Sequence, residues 1–267
     1  MITSVANKRV KELVELSKKA KARDEAGVFV AEGRKMFLEA PPERIAEVYI
    51  EEHFLEKVSE EIRKKLEQTS FEVVAEEVFE KISDTKTPQG ILCVVRRKVW
   101  RLDELLQPVG GRKPLLMVLE DIQDPGNLGT ILRTAEGAGV SGIIMTDHTV
   151  DLYHPKTIRA TMGALYRMPC IETRDLLHTL KELKKAGVCL YAAHLKGTAY
   201  YDQFDYTKAT AFLIGNEGNG LQDETANAAD TYVKIPMEGE VESLNAAIAS
   251  TILMYEANRQ RRGIGGE

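Results

Sequence analysis

Sulfur chemistry is nearly absent from this chain of 267 residues, which holds three cysteines, Cys93, Cys170 and Cys189, far apart and without a C-x-x-C pair. An odd, scattered set neither frames a disulfide scaffold nor offers a cysteine metal site, and it points to a reducing cytoplasm. Long apolar runs are also missing. The longest, near the C-terminus, is broken by Asn245, Ser250, Thr251 and Glu256, so no membrane span is expected. Met1-Ile2-Thr3-Ser4 leads straight into a charged helical pattern, not an apolar signal core, so secretion is not expected. There is no G-x-S-x-G elbow and no H-E-x-x-H helix. Asp147, His148, Asp151 and His154 fit no metal-ligand spacing and read as a solvent loop, so no metal is expected. What remains, 43% hydrophobic and 29% charged residues, is the composition of an ordinary globular chain long enough for two domains.

The formal net charge of −5 argues against bulk nucleic-acid binding, but the charge is uneven. The first 23 residues carry seven basic side chains (Lys8, Arg9, Lys11, Lys18, Lys19, Lys21, Arg23) and two acidic ones. Such a stripe reads either as a phosphate-facing surface or as a solvated helix face.

Residues 1–98 alternate helix and strand patterns. Asn7 to Ala22 is helical with Val10, Leu13 and Val14 on one side, strand-like runs stand at 28–31, 45–50, 71–75 and 91–95, and Glu52–Gln68 carries dense i,i+4 charge pairs. Residues 99–114, with Pro108, Gly110, Gly111 and Pro114 among charges, read as a linker. A fresh strand at Leu115–Leu119 is apolar on both faces, as a central parallel strand is. Helix 127–138, strand 142–145, a helical turn near 155–162, helix 175–186, strands 190–193 and 211–214, helix 221–229, strand 232–235 and helix 243–259 follow. Strand–helix alternation over 115–267 predicts an α/β domain with a mostly parallel sheet.

Gly137-Ala138-Gly139-Val140-Ser141-Gly142 matches G-x-G-x-x-G, but a helix precedes it and a strand follows, the reverse of a dinucleotide site, so these glycines cap a helix and turn the chain. Three other segments sit where parallel strands end, the edge at which open sheets gather functional groups. The first, Asp124-Pro125-Gly126-Asn127, turns into a helix with Asn127 as expected N-cap and Arg133 two turns in. The second, Gly215-Asn216-Glu217-Gly218-Asn219-Gly220, lacks the Lys and Ser/Thr of a phosphate cradle and carries Glu217, which suits a neutral or cationic ligand. The third runs from Ile235 to Ser243, the expected cap of a final helix apolar nearly all round, a pattern of burial on both sides or of a subunit interface.

Together these segments resemble the SpoU (TrmH) family of SPOUT RNA methyltransferases: Asp124-Pro125-Gly126-Asn127-Leu128-Gly129-Thr130-Ile131-Leu132-Arg133, then Leu213-Ile214-Gly215-Asn216-Glu217-Gly218-Asn219-Gly220-Leu221, then Ile235-Pro236-Met237 with Glu242-Ser243-Leu244-Asn245-Ala246-Ala247, in that order over 114–262. Arg159-Ala160-Thr161-Met162-Gly163-Ala164 resembles a further family segment, with Thr161 where Ser is usual. Residues 1–96, including Phe29-Val30-Ala31-Glu32-Gly33, resemble the family's ribosomal-protein-like RNA-binding domain. The resemblance implies a trefoil knot in the C-terminal domain, a homodimer and S-adenosylmethionine as cofactor. It implies methyl transfer to a ribose 2′-hydroxyl, expected in 23S ribosomal RNA, with tRNA 2′-O-methylation or inactive RNA binding as alternatives. The methyl-transfer site would comprise Asn127, Arg133, Glu217, Ser243 and Asn245. The cofactor would lie against Leu195, Gly197, Gly215, Ile235, Met237 and Leu244, and RNA against Lys8, Arg9, Lys18, Lys19 and Arg34. A guanidinium rarely gives up a proton, so Arg133 is expected to clamp phosphate and stabilise developing negative charge, not to act as base.

Overall fold

The computed structural model describes residues 1–262, which pack as two compact units, Met1–Lys98 with Asp151–Tyr166, and Val99–Val150 with the chain from Arg167 onward. In the first, strands β1 (Val28–Glu32), β2 (Ile45–Glu51), β3 (Phe71–Val74) and β4 (Ile91–Arg96) form a mixed sheet of order β1-β4-β2-β3. The final strand β4 inserts antiparallel between β1 and β2, and β3 adds parallel to β2.

The helix expected over Asn7–Ala22 is two helices, Lys8–Lys18 and Ala20–Ala26, because Lys19 takes an extended conformation. Arg23 then folds back, its Nη1 donating to the Leu16 (2.6 Å) and Ser17 (3.2 Å) carbonyls that end the first helix. Its Nη2 meets the Asp151 carboxylate, leaving Arg23 3% exposed. The Glu52–Gln68 pattern likewise splits into Glu52–Leu55 and Glu60–Glu67, the second capped by the Ser59 hydroxyl. Residues 151–166, expected with the second domain, pack into this first unit. Tyr153 stacks on Phe29 at 4.9 Å, and the buried Tyr166 hydroxyl donates to the Met36 carbonyl at 3.0 Å.

In the second unit, β5 (Leu115–Leu119), β6 (Gly142–Thr146), β7 (Cys170–Thr173), β8 (Cys189–Ala193), β9 (Ala199–Tyr200), β10 (Thr210–Ile214) and β11 (Thr231–Lys234) form one sheet of order β7-β6-β5-β10-β8-β11-β9. Every pairing is parallel. All residues of β5 and β10 are buried, as strands covered on both faces must be. The stretch read as a linker is not bare: Leu102–Leu105 is helical, and Leu105 is fully buried in the sheet's core. It packs where a side chain at Gly142 would stand, since a Cβ there would lie 2.2 Å from Leu105 Cγ. Gly139, at φ +76, caps the preceding helix in the left-handed conformation. Gly139 and Gly142, two of the three glycines of the apparent dinucleotide motif, thus have structural tasks.

Helix Pro125–Ala138 buries Leu128, Ile131, Leu132 and Ala135, and the final helix Ala246–Arg261 packs against it and against β10. The final helix is anchored by Arg261, which is 4% exposed and donates to the carbonyls of Tyr206 (2.6 Å), Lys113 (2.8 Å), Pro114 (3.3 Å) and Lys208. Burial lowers its pKa to about 10, so it remains charged at neutral pH. Replacing a buried charge that satisfies four carbonyls leaves those acceptors dry and orphaned. We expect Arg261→Met to lower unfolding stability by about 3 kcal/mol, measured by urea denaturation.

Candidate functional site

Because the large sheet is wholly parallel, the loops after β5, β10 and β11 leave the same edge, and β5 and β10 end side by side with Leu119 opposite Ile214. Helix Pro125–Ala138 starts earlier than expected. Asp124 is its cap, accepting from Asn127 N–H at 2.8 Å, and Pro125 occupies the first turn where a missing N–H costs nothing. Asn127 is therefore inside the helix, and its amide is free to act elsewhere. Its Nδ2 donates to Glu217 Oε1 at 2.9 Å, and its Oδ1 accepts from Asn245 Nδ2 at 2.9 Å. One residue from each of the three segments thus joins a single chain, Asn245–Asn127–Glu217.

Glu217 also accepts from the backbone N–H groups of Gln123 (3.1 Å) and Asp124 (3.2 Å). Partial burial would raise its pKa, but the Asn127 amide and these N–H donors together outweigh that, and the carboxyl titrates below the ordinary glutamate value. A carboxylate so engaged is an anchor rather than a proton acceptor. Asn245, not Ser243, caps the final helix, its Oδ1 accepting from Ala247 N (2.8 Å) and Ile248 N (3.3 Å), so the helix begins at Ala246. Ser243 stays in the preceding loop.

Beside this chain lies a cleft of about 490 Å³, within the range of small-molecule sites. Leu195, Gly215, Ile235, Met237, Leu244, Glu217 and Ser243 all line it. Gly197 does not. A Cβ there would stand 3.1 Å from the His194 carbonyl and 3.2 Å from Lys234, so Gly197 allows a close backbone approach beneath the wall. Gly215 meets the same constraint more severely, since a Cβ would lie 2.1 Å from Gly220 C and Leu221 N. The loop closes on itself there, with Asn216 and Gly220 exchanging backbone hydrogen bonds at 3.0 and 2.9 Å. The lining mixes apolar walls with the carboxyl groups of Glu217, Asp223 and Glu242 and the amines of Lys196 and Lys234. That set fits a ligand with an apolar body and charges of both signs, as in S-adenosylmethionine with its sulfonium, ammonium and carboxylate.

Sequence reasoning missed His194, which also lines the cleft. It stacks on Tyr232 at 4.9 Å, and its Nδ1 accepts from Lys196 N at 3.1 Å. Burial, and then Lys196, hold its pKa below the ordinary value, so the ring is neutral at pH 7. A lone histidine after a strand carries no periodic signal that would single it out. Arg133 is exposed, does not line the cleft, and has no hydrogen-bond or ion-pair partner among the described residues.

The expected RNA contacts lie in the first unit. Lys8 stands 3.6 Å from Glu12, Arg9 2.7 Å from Glu72 and Lys19 2.6 Å from Glu15, so three of these cations have carboxylates at hand. Lys18 is exposed without a described partner, and the exposed Arg34 guanidinium lies over the Phe54 ring at 4.7 Å. Arg23 of the same stripe is buried and committed to structure.

The profile of the SpoU rRNA Methylase family matches residues 114–255, and that of the MRM3-like substrate binding domain matches residues 7–93. The chain is 31% identical to the 23S rRNA (guanosine(2553)-2′-O)-methyltransferase RlmP of Bacillus subtilis (strain 168), over 95% of this chain and 97% of that one. It is 34% identical to the 23S rRNA (guanosine-2′-O-)-methyltransferase RlmB of Bordetella pertussis, over 83% and 92% respectively. Among solved structures, the SpoU methyltransferase AviRb from Streptomyces viridochromogenes in complex with the cofactor AdoMet superposes with a TM-score of 0.84 at 29% identity, covering 98% of this chain and 100% of that one.

The Glu217 anchor has a pH signature. Its lowered folded-state pKa adds stability above the ordinary glutamate value of 4.5, and that contribution is lost as pH falls through the folded value. Glu217 is exposed, so the gain is at most about 1 kcal/mol. Glu217→Gln should be less stable than the parent near pH 7, with the gap closing below about pH 4, as read by denaturant melts at both ends.

Proposed function

Because the chain belongs to the SpoU rRNA methylase family, we propose that it transfers a methyl group from S-adenosylmethionine to a ribose 2′-hydroxyl of 23S ribosomal RNA in the cytoplasm. The observation that carries the reading is the Asn245–Asn127–Glu217 chain, which ties three loops together beside a cleft suited to the methyl donor. The two relatives above are named for 23S rRNA and align across both units, which favours that target over tRNA. Glu217 and Ser243 line the cleft and Asn127 and Asn245 are hydrogen-bonded in line with Glu217, an arrangement that supports catalysis over idle RNA binding.

When bound, the cofactor supplies an electrophilic methyl group on a positively charged sulfur. Leu195, Ile235, Met237 and Leu244 would hold its apolar body, and the carboxyl groups of Glu217 and Glu242 would complement its positive charge. Asn127 and Asn245 tie the loops to Glu217, so that the bound cofactor and ribose would be held at a fixed separation. Ser243, exposed at the cleft, would orient the ribose. Arg133 would grip the adjoining phosphate and stabilise negative charge developing on the ribose oxygen.

Arg133 is exposed and does not line the cleft of its own chain, which fits the homodimer that the reading includes. The final helix is not buried all round: Ile248 and Tyr255 are 50% and 48% exposed, and Tyr255 Oη lies 3.4 Å from where a Cβ on Gly137 would stand. Gly137 is one turn beyond Arg133 on the adjacent helix. A second copy covering this face would bring Arg133 to a cleft. In the first unit, RNA contact would rest on Lys18 and Arg34 before the carboxylate-engaged Lys8, Arg9 and Lys19. The trefoil knot implied by the family resemblance belongs to the same reading.

Mapping of 2′-O-methyl sites in ribosomal RNA from cells with and without the protein tests the target, and we expect one 23S site to vanish. Arg133→Ala should lose at least about 100-fold in turnover yet bind cofactor normally in calorimetry. Loss of cofactor binding would overturn the role given to Arg133. Ile248→Asp should shift the protein from dimer to monomer in analytical ultracentrifugation, and a monomeric parent protein would overturn the dimer.

A further inference from the structure

One buried acid has no part in the chemistry above. Glu120 follows the wholly apolar strand β5 and is 3% exposed. Its backbone N–H donates to the Ile214 carbonyl at 2.9 Å, where the glycine-rich loop begins. Its Oε2 accepts from Gln222 N–H at 2.8 Å, and its Oε1 accepts from the buried Thr225 hydroxyl, where the same loop ends. Gln222 opens the short helix Asp223–Ala228 without a side-chain cap of its own. Glu120 supplies that cap from the neighbouring strand.

Burying a carboxyl group is costly even when it is hydrogen-bonded, and an apolar residue of similar volume would satisfy the core at lower cost. An apolar residue would not hold both ends of loop 215–221, however. Between those ends lie Gly215, Asn216, Glu217, Gly218, Asn219, Gly220 and Leu221, all lining the cleft. Resting on the proposed function, we infer that Glu120 is a positioning residue: it clamps the entry and exit of the glycine-rich loop, so that the cofactor cleft has its shape before the cofactor arrives. The loop's three glycines, which lower its intrinsic stiffness, make such a clamp necessary.

The two central loops then hold each other reciprocally. Glu120 of the first caps the exit of the second, and Glu217 of the second caps the start of the helix in the first. Because Glu120 is set back from the cleft, its removal should alter cofactor affinity and leave the transfer step alone once cofactor is saturating.

The test is calorimetric titration of S-adenosylmethionine into the parent protein, Glu120→Gln and Thr225→Val, with steady-state kinetics at saturating RNA. Glu120→Gln leaves one acceptor oxygen for two donors, so Gln222 N–H and the Thr225 hydroxyl can no longer both donate to a carboxyl oxygen of their own, and it should weaken cofactor binding about 10-fold; Thr225→Val should weaken it about threefold. Both should raise the KM for cofactor while holding kcat within about twofold, a split that general loss of stability would not produce. Parental affinity in folded Glu120→Gln, or a kcat defect with unchanged affinity, overturns the inference. If Glu120→Gln does not fold, Thr225→Val decides on the same criterion. A parent protein that fails to bind S-adenosylmethionine would overturn the methyltransferase reading itself, whereas tight binding by parent and variants alike would overturn only the role of Glu120.

Discussion

A wholly parallel sheet gathers the starts of its following helices, with their unsatisfied N–H groups, along one edge. Acceptors must be found for those donors, and in this protein some come from across the edge, beside the local caps Asp124 and Asn245. Glu217, in the loop after β10, accepts from Gln123, Asp124 and Asn127 in the loop after β5. Asn127 in turn accepts from Asn245, which caps the last helix. The separation of the three loops, and with it the width of the cleft, depends on this line of amides and one carboxylate. Each member is a modest interaction by itself, but the loops share it, so none can move alone.

The same line accounts for the charge of the site. A nucleic-acid enzyme of net charge −5 with Glu217, Asp223 and Glu242 around its cleft is not built to attract phosphates there. Glu217 answers backbone N–H groups, and the acidic lining is matched to a positively charged methyl donor. In the proposed reading, attraction of RNA would fall instead to separate cations, among which Lys18, Arg34 and Arg133 are exposed without an acidic partner among the described residues.

Much of this was legible in the order of residues. The apolar run Leu115–Leu119 and the left-handed turn at Gly139 are local signals, and each formed where its pattern placed it; most of the alternating strands did too, but β7 and β9 had no such signal. The three segments at strand ends were recognisable by their composition. Caps were less legible, because Asp124 and Asn127, or Ser243 and Asn245, are equally good capping residues by type. Which one caps depends on what else claims the side chain. The Glu52–Gln68 and Asn7–Ala22 patterns looked continuous because charge spacing cannot reveal a break that Ser59 or an extended Lys19 introduces.

Composition and periodicity thus determined most of the strands, the parallel class of the large sheet and the loops at its strand ends, since these follow from hydrophobic pattern and turn geometry within a few residues, whereas the candidate site side chains came from the family resemblance. Packing alone decided that Arg23 is a buried strut, that residues 151–166 join the first unit, that Leu105 is core, and that His194 and Glu120 stand at or behind the cleft. Those outcomes join residues up to 130 positions apart, as Met36 and Tyr166 are. Contacts of that kind arise only when folded elements compete for the same space and the same hydrogen bonds.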